Sequence, residues 1–244
     1  MSENENSQQP QTVVVVTAIP ASPLEKEALY KAGGSFWMLL AAIVMTVSLV
    51  STLVSNVLRL NLIGIVLVVL DLLIAIGFWI TWAKSRKQQL APKGIKLIKG
   101  PYVAQFVFMV IRFALGLIIT FFTFNVFKFV SDLFTFVFDV ICFASILRSL
   151  NLAYTIAQDQ SGEKQKAGLF AAIVMILAAT FSLLSAVLSY LFASSLRMPE
   201  ILAILVGGSS IIGIVAEAIS FFASIAVAVV LIKFAKGIKA ARNK

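Results

Sequence analysis

The chain has 244 residues, of which 60% are hydrophobic and 13% are charged, with a formal net charge of +9 and no histidine. A soluble domain of this length cannot bury so much apolar surface, because exposed area remains large at this mass. The composition therefore excludes a soluble enzyme, a nucleic-acid module and a secreted disulfide scaffold, and it predicts a protein whose solvent is the lipid bilayer.

The N-terminal 35 residues are more polar than the rest and divide into two parts. Residues 1–21 are acidic and rich in Gln, Asn and Ser, which predicts a disordered cytoplasmic tail. A capping box follows, in which Ser22 caps the helix, Pro23 takes its first position and Glu25 reaches back to the cap. The pattern predicts a short interfacial helix within residues 22–35.

Charge-poor stretches of membrane-spanning length follow, and a span needs about 20 apolar residues. They predict an all-α, polytopic transmembrane helix bundle of about six spans arranged as three hairpins. The predicted transmembrane domain covers 36–233, with spans at 36–58, 62–83, 102–124, 130–150, 167–193 and 211–233. The segment 84–101 carries six Lys or Arg residues, Pro92 and Gly94, and is predicted to be a loop. Residues 234–244 are predicted to form a basic cytoplasmic tail.

Two apolar segments repeat along the chain. Residues 41–58 and 171–188 are identical at nine of 18 positions, and Leu62–Val66 resembles Ile211–Val215. The similarity suggests a duplicated hairpin, with helices 1–2 equivalent to helices 5–6. It also starts the last span at Ile211, after Gly207–Ser210. Residues 199–206 would then be interfacial or re-entrant, whereas the alternative is one long, kinked last helix.

The basic residues are distributed asymmetrically. Sixteen of the 20 Lys and Arg residues fall in segments that six spans place on one side, and three fall in the opposite turns. This bias predicts that both termini are cytoplasmic, and we expect the plasma membrane as the location. The basic 84–101 segment and the C-terminal tail could also bind anionic lipid headgroups, although setting the orientation is the favoured role. Nucleic acid is not an expected partner.

Four charged residues remain inside the predicted spans: Asp71, Arg112, Asp139 and Glu217. Such a charge costs at least ~2.5–3.5 kcal/mol in the bilayer centre, so it should face the bundle interior and find a partner. We therefore expect an intramembrane polar cluster in which Arg112 pairs with carboxylates. Ionisable groups at this depth are either structural or part of an ion pathway.

The sequence contains no recognisable catalytic constellation. Without histidine the chain lacks the commonest metal ligand and general base, and its single cysteine, Cys142, cannot form an intramolecular disulfide. Phosphate-binding glycine loops, nucleophile elbows and zinc-protease motifs are also missing from the sequence. We therefore expect no enzyme activity, no cofactor and no metal site.

Three functional hypotheses follow from these features. The favoured one is a structural or accessory membrane component, in which the intramembrane charges hold helices together. The alternative is a small proton- or ion-coupled transporter that uses the buried carboxylates, for which a homo-oligomer would compensate for the small bundle. A membrane-embedded aspartyl hydrolase comes third, because it needs two acids in contact and no motif supports it.

Overall fold

The computed structural model describes residues 19–58, 62–122, 126–162, 165–195 and 211–243. Within these ranges all regular structure is helical, which confirms the predicted all-α class. The described helices are α1 (Pro23–Gly33), α2 (Phe36–Leu58), α3 (Leu62–Arg86), α4 (Pro92–Phe122), α5 (Val126–Ala157), α6 (Phe170–Ser195) and α7 (Ile211–Arg242).

The lengths of the described helices fit a membrane protein. Five of them, from α3 to α7, contain segments that are long and apolar enough to cross a bilayer. Helix α1 and the first part of α2 meet at a bend of 46° and pass the same test as a pair, which raises the number to six if that pair is one span. The chain therefore has the architecture of an integral membrane protein.

Six of the helices form a ring. Each helix from α2 to α6 packs against the next described helix, and α7 packs against α2, which closes the ring. Helix α1 lies at one end, where it contacts α3, α5 and α7. Because neighbours in sequence are neighbours in space, the three predicted hairpins are consistent with this order of packing.

The start of the described chain is held in place. The capping box is present, since the Glu25 backbone N–H donates to Ser22 Oγ at 3.1 Å and the Ser22 N–H donates to Glu25 Oε2 at 3.2 Å. Upstream, the carbonyl of Ile19 accepts from the Ser161 N–H at 2.7 Å. The prediction that disorder extends to residue 21 is therefore wrong for residues 19–21, whereas residues 1–18 lie outside the described ranges.

The basic segment 84–101 is not a loop. Helix α3 continues to Arg86 and α4 begins at Pro92, so only residues 87–91 are non-helical. Pro92 starts a helix instead of breaking one, because proline suits the first helical position. A Cβ on Gly77 would lie 2.8 Å from the Gly94 carbonyl oxygen, which shows that these glycines permit close packing of α3 on α4.

The predicted basic tail is also largely helical. Helix α7 extends to Arg242, and its last turns bury Phe234, Ala235 and Ile238 while Lys236 and Lys239 stay exposed. This apolar face packs on α1, which extends the helix beyond the length that a bilayer requires. The described part of this helix begins at Ile211, directly after a stretch that the structure does not describe, so the predicted start at residue 211 and the separate element predicted at 199–206 stay predictions.

The connections at the α1 end of the ring converge. Lys26 Nζ lies 2.6 Å from Asp159 Oδ1 in the α5–α6 connection, and Gly33 packs directly on Ser85 near the end of α3. The end of α7 lies there too, because Gly237 contacts Ala28. The basic segments therefore share one end of the bundle. That this end faces the cytoplasm stays a prediction.

Equivalent positions of the two sequence repeats occupy similar environments. The alanine pairs Ala41–Ala42 and Ala171–Ala172 are each fully buried, with 0% exposure. The residues that follow them, Ile43 and Ile173, both point outward at 42% and 55% exposure. The repeated sequence thus places the same buried and outward positions in α2 and α6.

Candidate functional site

A cavity of about 270 Å³ lies inside the ring and receives residues from all seven helices. Most of the residues that line it are aliphatic or aromatic, among them Leu29 of α1 and Met45 of α2. Its polar lining residues are Asp71, Thr81, Tyr102, Gln105, Ser149 and Ser224. A mainly apolar cavity with a few polar groups is the usual form of a small-molecule site.

Two of these polar groups satisfy the backbone. The Thr81 hydroxyl donates to the Gly77 carbonyl within α3 at 2.8 Å. Ser149 Oγ accepts from the Gly168 N–H at 2.9 Å, ahead of α6. These two hydroxyls therefore stabilise the helices. The strongest polar groups that remain in the cavity wall are the Asp71 carboxyl and the Gln105 amide.

Asp71 is the acid in the cavity wall. It is half-buried, and its distance from Arg86, the last residue of α3, is about 22 Å along the helix axis. Its Oδ1 accepts a hydrogen bond of 2.6 Å from Gln105 Nε2 on α4. No described Lys or Arg forms an ion pair with it. The cavity therefore contains a carboxyl group that has an amide partner and no described cationic partner.

The other predicted site residues are placed differently. Arg112 of α4 and Asp139 of α5 have exposed side chains, and neither forms an ion pair with Asp71 or with the other. Asp139 lies close enough to Tyr102 and Cys142 for electrostatic interaction. Glu217 is on α7, and its side chain lies outside what the structure describes. Of the three acids and one Arg, the structure brings Asp71 to the cavity.

Aromatic stacking sets the register of the α4–α5 hairpin. The rings of Phe106 and Phe143 stack with centroids 3.7 Å apart, and those of Phe113 and Phe136 stack at 3.9 Å. In this antiparallel register, residue 137 is level with Arg112, two positions from Asp139. The two exposed charges therefore lie at the same depth to within about 3 Å of helix rise.

Sequence reasoning did not identify Gln105 as a site residue. The signal was available, because Gln105 is an amide inside an otherwise apolar span and a buried amide needs a hydrogen-bond partner. An amide carries no charge, so the pattern of charged residues in the spans does not indicate it. Its bond to Asp71 shows that the acid's partner is an amide on the neighbouring helix.

The described residues contain no group of three or more His, Cys, Asp or Glu side chains that could hold a metal ion. Comparisons with protein-family models, with curated proteins and with solved structures find no match to this chain.

Proposed function

We propose that this chain is a non-enzymatic integral membrane protein that binds a small, mainly apolar cation in the central cavity. The observation that carries the proposal is the Asp71 carboxylate in the cavity wall, bonded to Gln105 and paired with no described cation. Ionising a carboxyl group in an apolar site is costly, and a cationic ligand beside it would offset that cost.

The surroundings of Asp71 define the ligand chemistry. Gln105 donates to Oδ1, whereas Oδ2 accepts no hydrogen bond from the described residues, so a ligand N–H can bind there. The side chains of Ile74, Phe78 and Val227 form an apolar surface that the rest of the ligand can contact. A cavity of about 270 Å³ suits a molecule smaller than a typical drug. A small aromatic or aliphatic amine meets these requirements.

Benzylammonium tests the proposal, with benzyl alcohol as its neutral counterpart. The purified protein in lipid nanodiscs should bind benzylammonium, and Asp71→Asn should weaken that binding by about tenfold or more, since a charge-assisted hydrogen bond contributes about 1.5–3 kcal/mol. Binding of benzyl alcohol should change little. Asp139→Asn is the matched control, because it removes an acid at the exterior of the hairpin.

Two results would count against this function. One is a folded wild-type protein that binds neither probe. The other is equal binding of benzylammonium by wild type, Asp71→Asn and Asp139→Asn. Thermal unfolding of each variant distinguishes loss of the site from loss of the fold.

Transport would extend binding if the cavity opens alternately to the two sides. A proton- or cation-coupled flux into liposomes should then require Asp71, the acid in the cavity. A flux that is independent of pH and unchanged by Asp71→Asn, Asp139→Asn and Glu217→Gln would exclude carboxylate-coupled transport.

A structural or accessory role is the second candidate, and the exposed charges of the α4–α5 hairpin favour it. Only 6% of the most apolar segment of α4 and 11% of that of α5 are buried in the bundle, whereas 39% of the corresponding segment of α3 is buried. Arg112 and Asp139 are therefore costly in lipid unless protein covers them. Since they lie at the same depth, a second copy related by a two-fold axis along the membrane normal can pair each Arg112 with the partner's Asp139.

Charge exchange tests this association. Arg112→Asp alone should lower the dimer fraction measured by cross-linking in nanodiscs, and adding Asp139→Arg should restore it. Phe134→Leu is the control, because Phe134 is a neutral residue exposed on the same hairpin at 74%. A wild type that stays monomeric at all concentrations, or an exchange variant that fails to recover, would exclude the dimer.

A further inference from the structure

A second cavity, of about 490 Å³, lies apart from Asp71 and is lined by α4, α5 and the α5–α6 connection. We call it the basic cavity, and its lining residues are Lys99, Arg148, Asn151, Tyr154, Thr155, Gln165 and Lys166. Three of the seven carry a positive charge and none is acidic. This composition gives the basic cavity a positive potential.

The three cations of the basic cavity are not neutralised by the described part of the chain. The described ion pairs join Lys26 to Asp159, Lys31 to Glu27 and Arg242 to Glu25. Asp159, the described acid of the α5–α6 connection, is thus held by Lys26 at 2.6 Å. The positive charge of the basic cavity is therefore available to a ligand.

Neighbouring side chains position the polar groups of the basic cavity. Lys99 Nζ lies 5.3 Å from the centre of the Tyr154 ring, in a cation–π contact that restrains the lysine. Thr155 Oγ1 accepts from Gln165 Nε2 at 3.3 Å, which connects α5 to the loop. Asn151 Oδ1 is buried and accepts no hydrogen bond from the described residues. Flipping the side-chain amide would place its N–H donors in that position instead.

The basic cavity lies beside the charged ends of two apolar helix segments. Lys99 precedes an uncharged stretch of α4 at residues 102–111, and Arg148 follows an uncharged stretch of α5 at residues 140–147. Charges at the ends of apolar helix segments lie at the level of the lipid headgroups. A phosphate in that layer, or one dissolved in the adjoining water, can therefore reach the basic cavity.

We propose that the basic cavity binds an anionic phosphate group. Arg148 suits two oxygens of the group at once, whereas Lys99 and Lys166 contribute point charges. The site differs from general attraction by basic segments, because its cations come from α4, α5 and the connecting loop and surround one volume. The phosphate belongs either to an anionic lipid headgroup or to a soluble phosphate compound.

Native mass spectrometry of the full chain released from nanodiscs tests the proposal. The nanodiscs contain phosphatidylglycerol and phosphatidylcholine in equal amounts, and inorganic phosphate is titrated in a parallel arm in detergent without anionic lipid. Wild type should retain phosphatidylglycerol in preference to phosphatidylcholine. Loss of one charge-assisted contact in Arg148→Gln or Lys99→Gln should weaken retention by about tenfold.

Lys96→Gln is the matched control, because Lys96 is an exposed cation on α4 outside the basic cavity. Binding of inorganic phosphate without selective lipid retention, with the same dependence on Arg148, would support the proposal and identify a soluble source. Equal retention of both lipids together with no binding of inorganic phosphate would overturn it. Equal losses in Lys96→Gln and Arg148→Gln would also overturn it, since they would indicate general electrostatic attraction. Lys99→Gln gives a second measurement if Arg148→Gln is unstable.

Discussion

The guanidinium of Arg242 lies 3.5 Å from the carboxylate of Glu25, which connects the last described helix to the first. The Glu25 side chain is only 3% exposed, so the charge of this acid is buried. Arg242 Nη1 also donates to the Gln165 carbonyl at 2.6 Å, and Nη2 donates to the Gly162 carbonyl at 2.5 Å. One side chain therefore joins α7, α1 and the α5–α6 connection at the end of the bundle where α1 lies.

Arg242→Ala should lower the free energy of unfolding by about 2 kcal/mol, because it leaves a buried carboxylate and two carbonyl groups without their partner. Thermal unfolding in detergent measures the change. Lys239→Ala removes an exposed cation from the same end of α7 and should have little effect. Equal unfolding temperatures for wild type and Arg242→Ala would show that this contact does not stabilise the bundle.

Gly77→Ala should destabilise the protein through the α3–α4 contact. A Cβ at this position would lie 2.7 Å from Ile98 Cγ1 and 2.8 Å from the Gly94 carbonyl oxygen, so the helices must separate. We expect a loss of about 1–3 kcal/mol, as for other overpacked sites. A Cβ at Gly100 meets nothing within 4 Å, so Gly100→Ala should be neutral or stabilising. Reversal of this order would disprove the close packing of the two helices.

Ser149→Ala should destabilise the start of α6. The Ser149 hydroxyl accepts from the Gly168 N–H at 2.9 Å, and Ser145 Oγ accepts from the Ala171 N–H at 3.2 Å. Side chains of α5 thus satisfy backbone donors at the beginning of α6, and losing such a cap costs about 1 kcal/mol. Hydrogen exchange should show faster exchange at Gly168 than in wild type. Thr180→Ala is the control, because the Thr180 hydroxyl bonds within α6 to Ile176; equal exchange in both variants would contradict the capping role.

The two sequence repeats should respond alike to overpacking. Ala42→Leu and Ala172→Leu insert a large side chain at positions with 0% exposure, and each should cost more than about 1 kcal/mol. Ile43→Leu and Ile173→Leu change outward positions and should be nearly neutral. Unfolding midpoints of the four variants compare the repeats directly. A severe effect in one repeat and none in the other would show that their environments differ.

Local sequence signals predicted much of the helical framework. The capping box at Ser22 and Glu25 and the helix at 36–58 agree with the structure, because each depends on residues within a few turns of one another. The loop predicted at 84–101 was wrong for a tertiary reason. In the sequence alone Gly94 indicates the end of a helix, but in the structure it lies inside α4 where that helix approaches α3.

The candidate site could be predicted only in part. The charges inside the spans identified Asp71, but the sequence did not distinguish its position in the cavity from the exterior positions of Arg112 and Asp139. Helices α4 and α5 are apolar on nearly all sides, so their periodicity does not specify which face turns inward. Such a helix has apolar surroundings on both sides, because lipid and the protein interior are both apolar.

The sequence by itself determined that this protein is helical and apolar enough to cross a bilayer, and where most of its helices lie, because apolarity over a run of residues is a local property. Tertiary structure decided the rotation of each helix and the contacts between distant segments. It brought Asp71 to Gln105, Glu25 to Arg242, and three separate cations to the basic cavity. Such contacts depend on how all the helices pack together, since no single helix contains both partners.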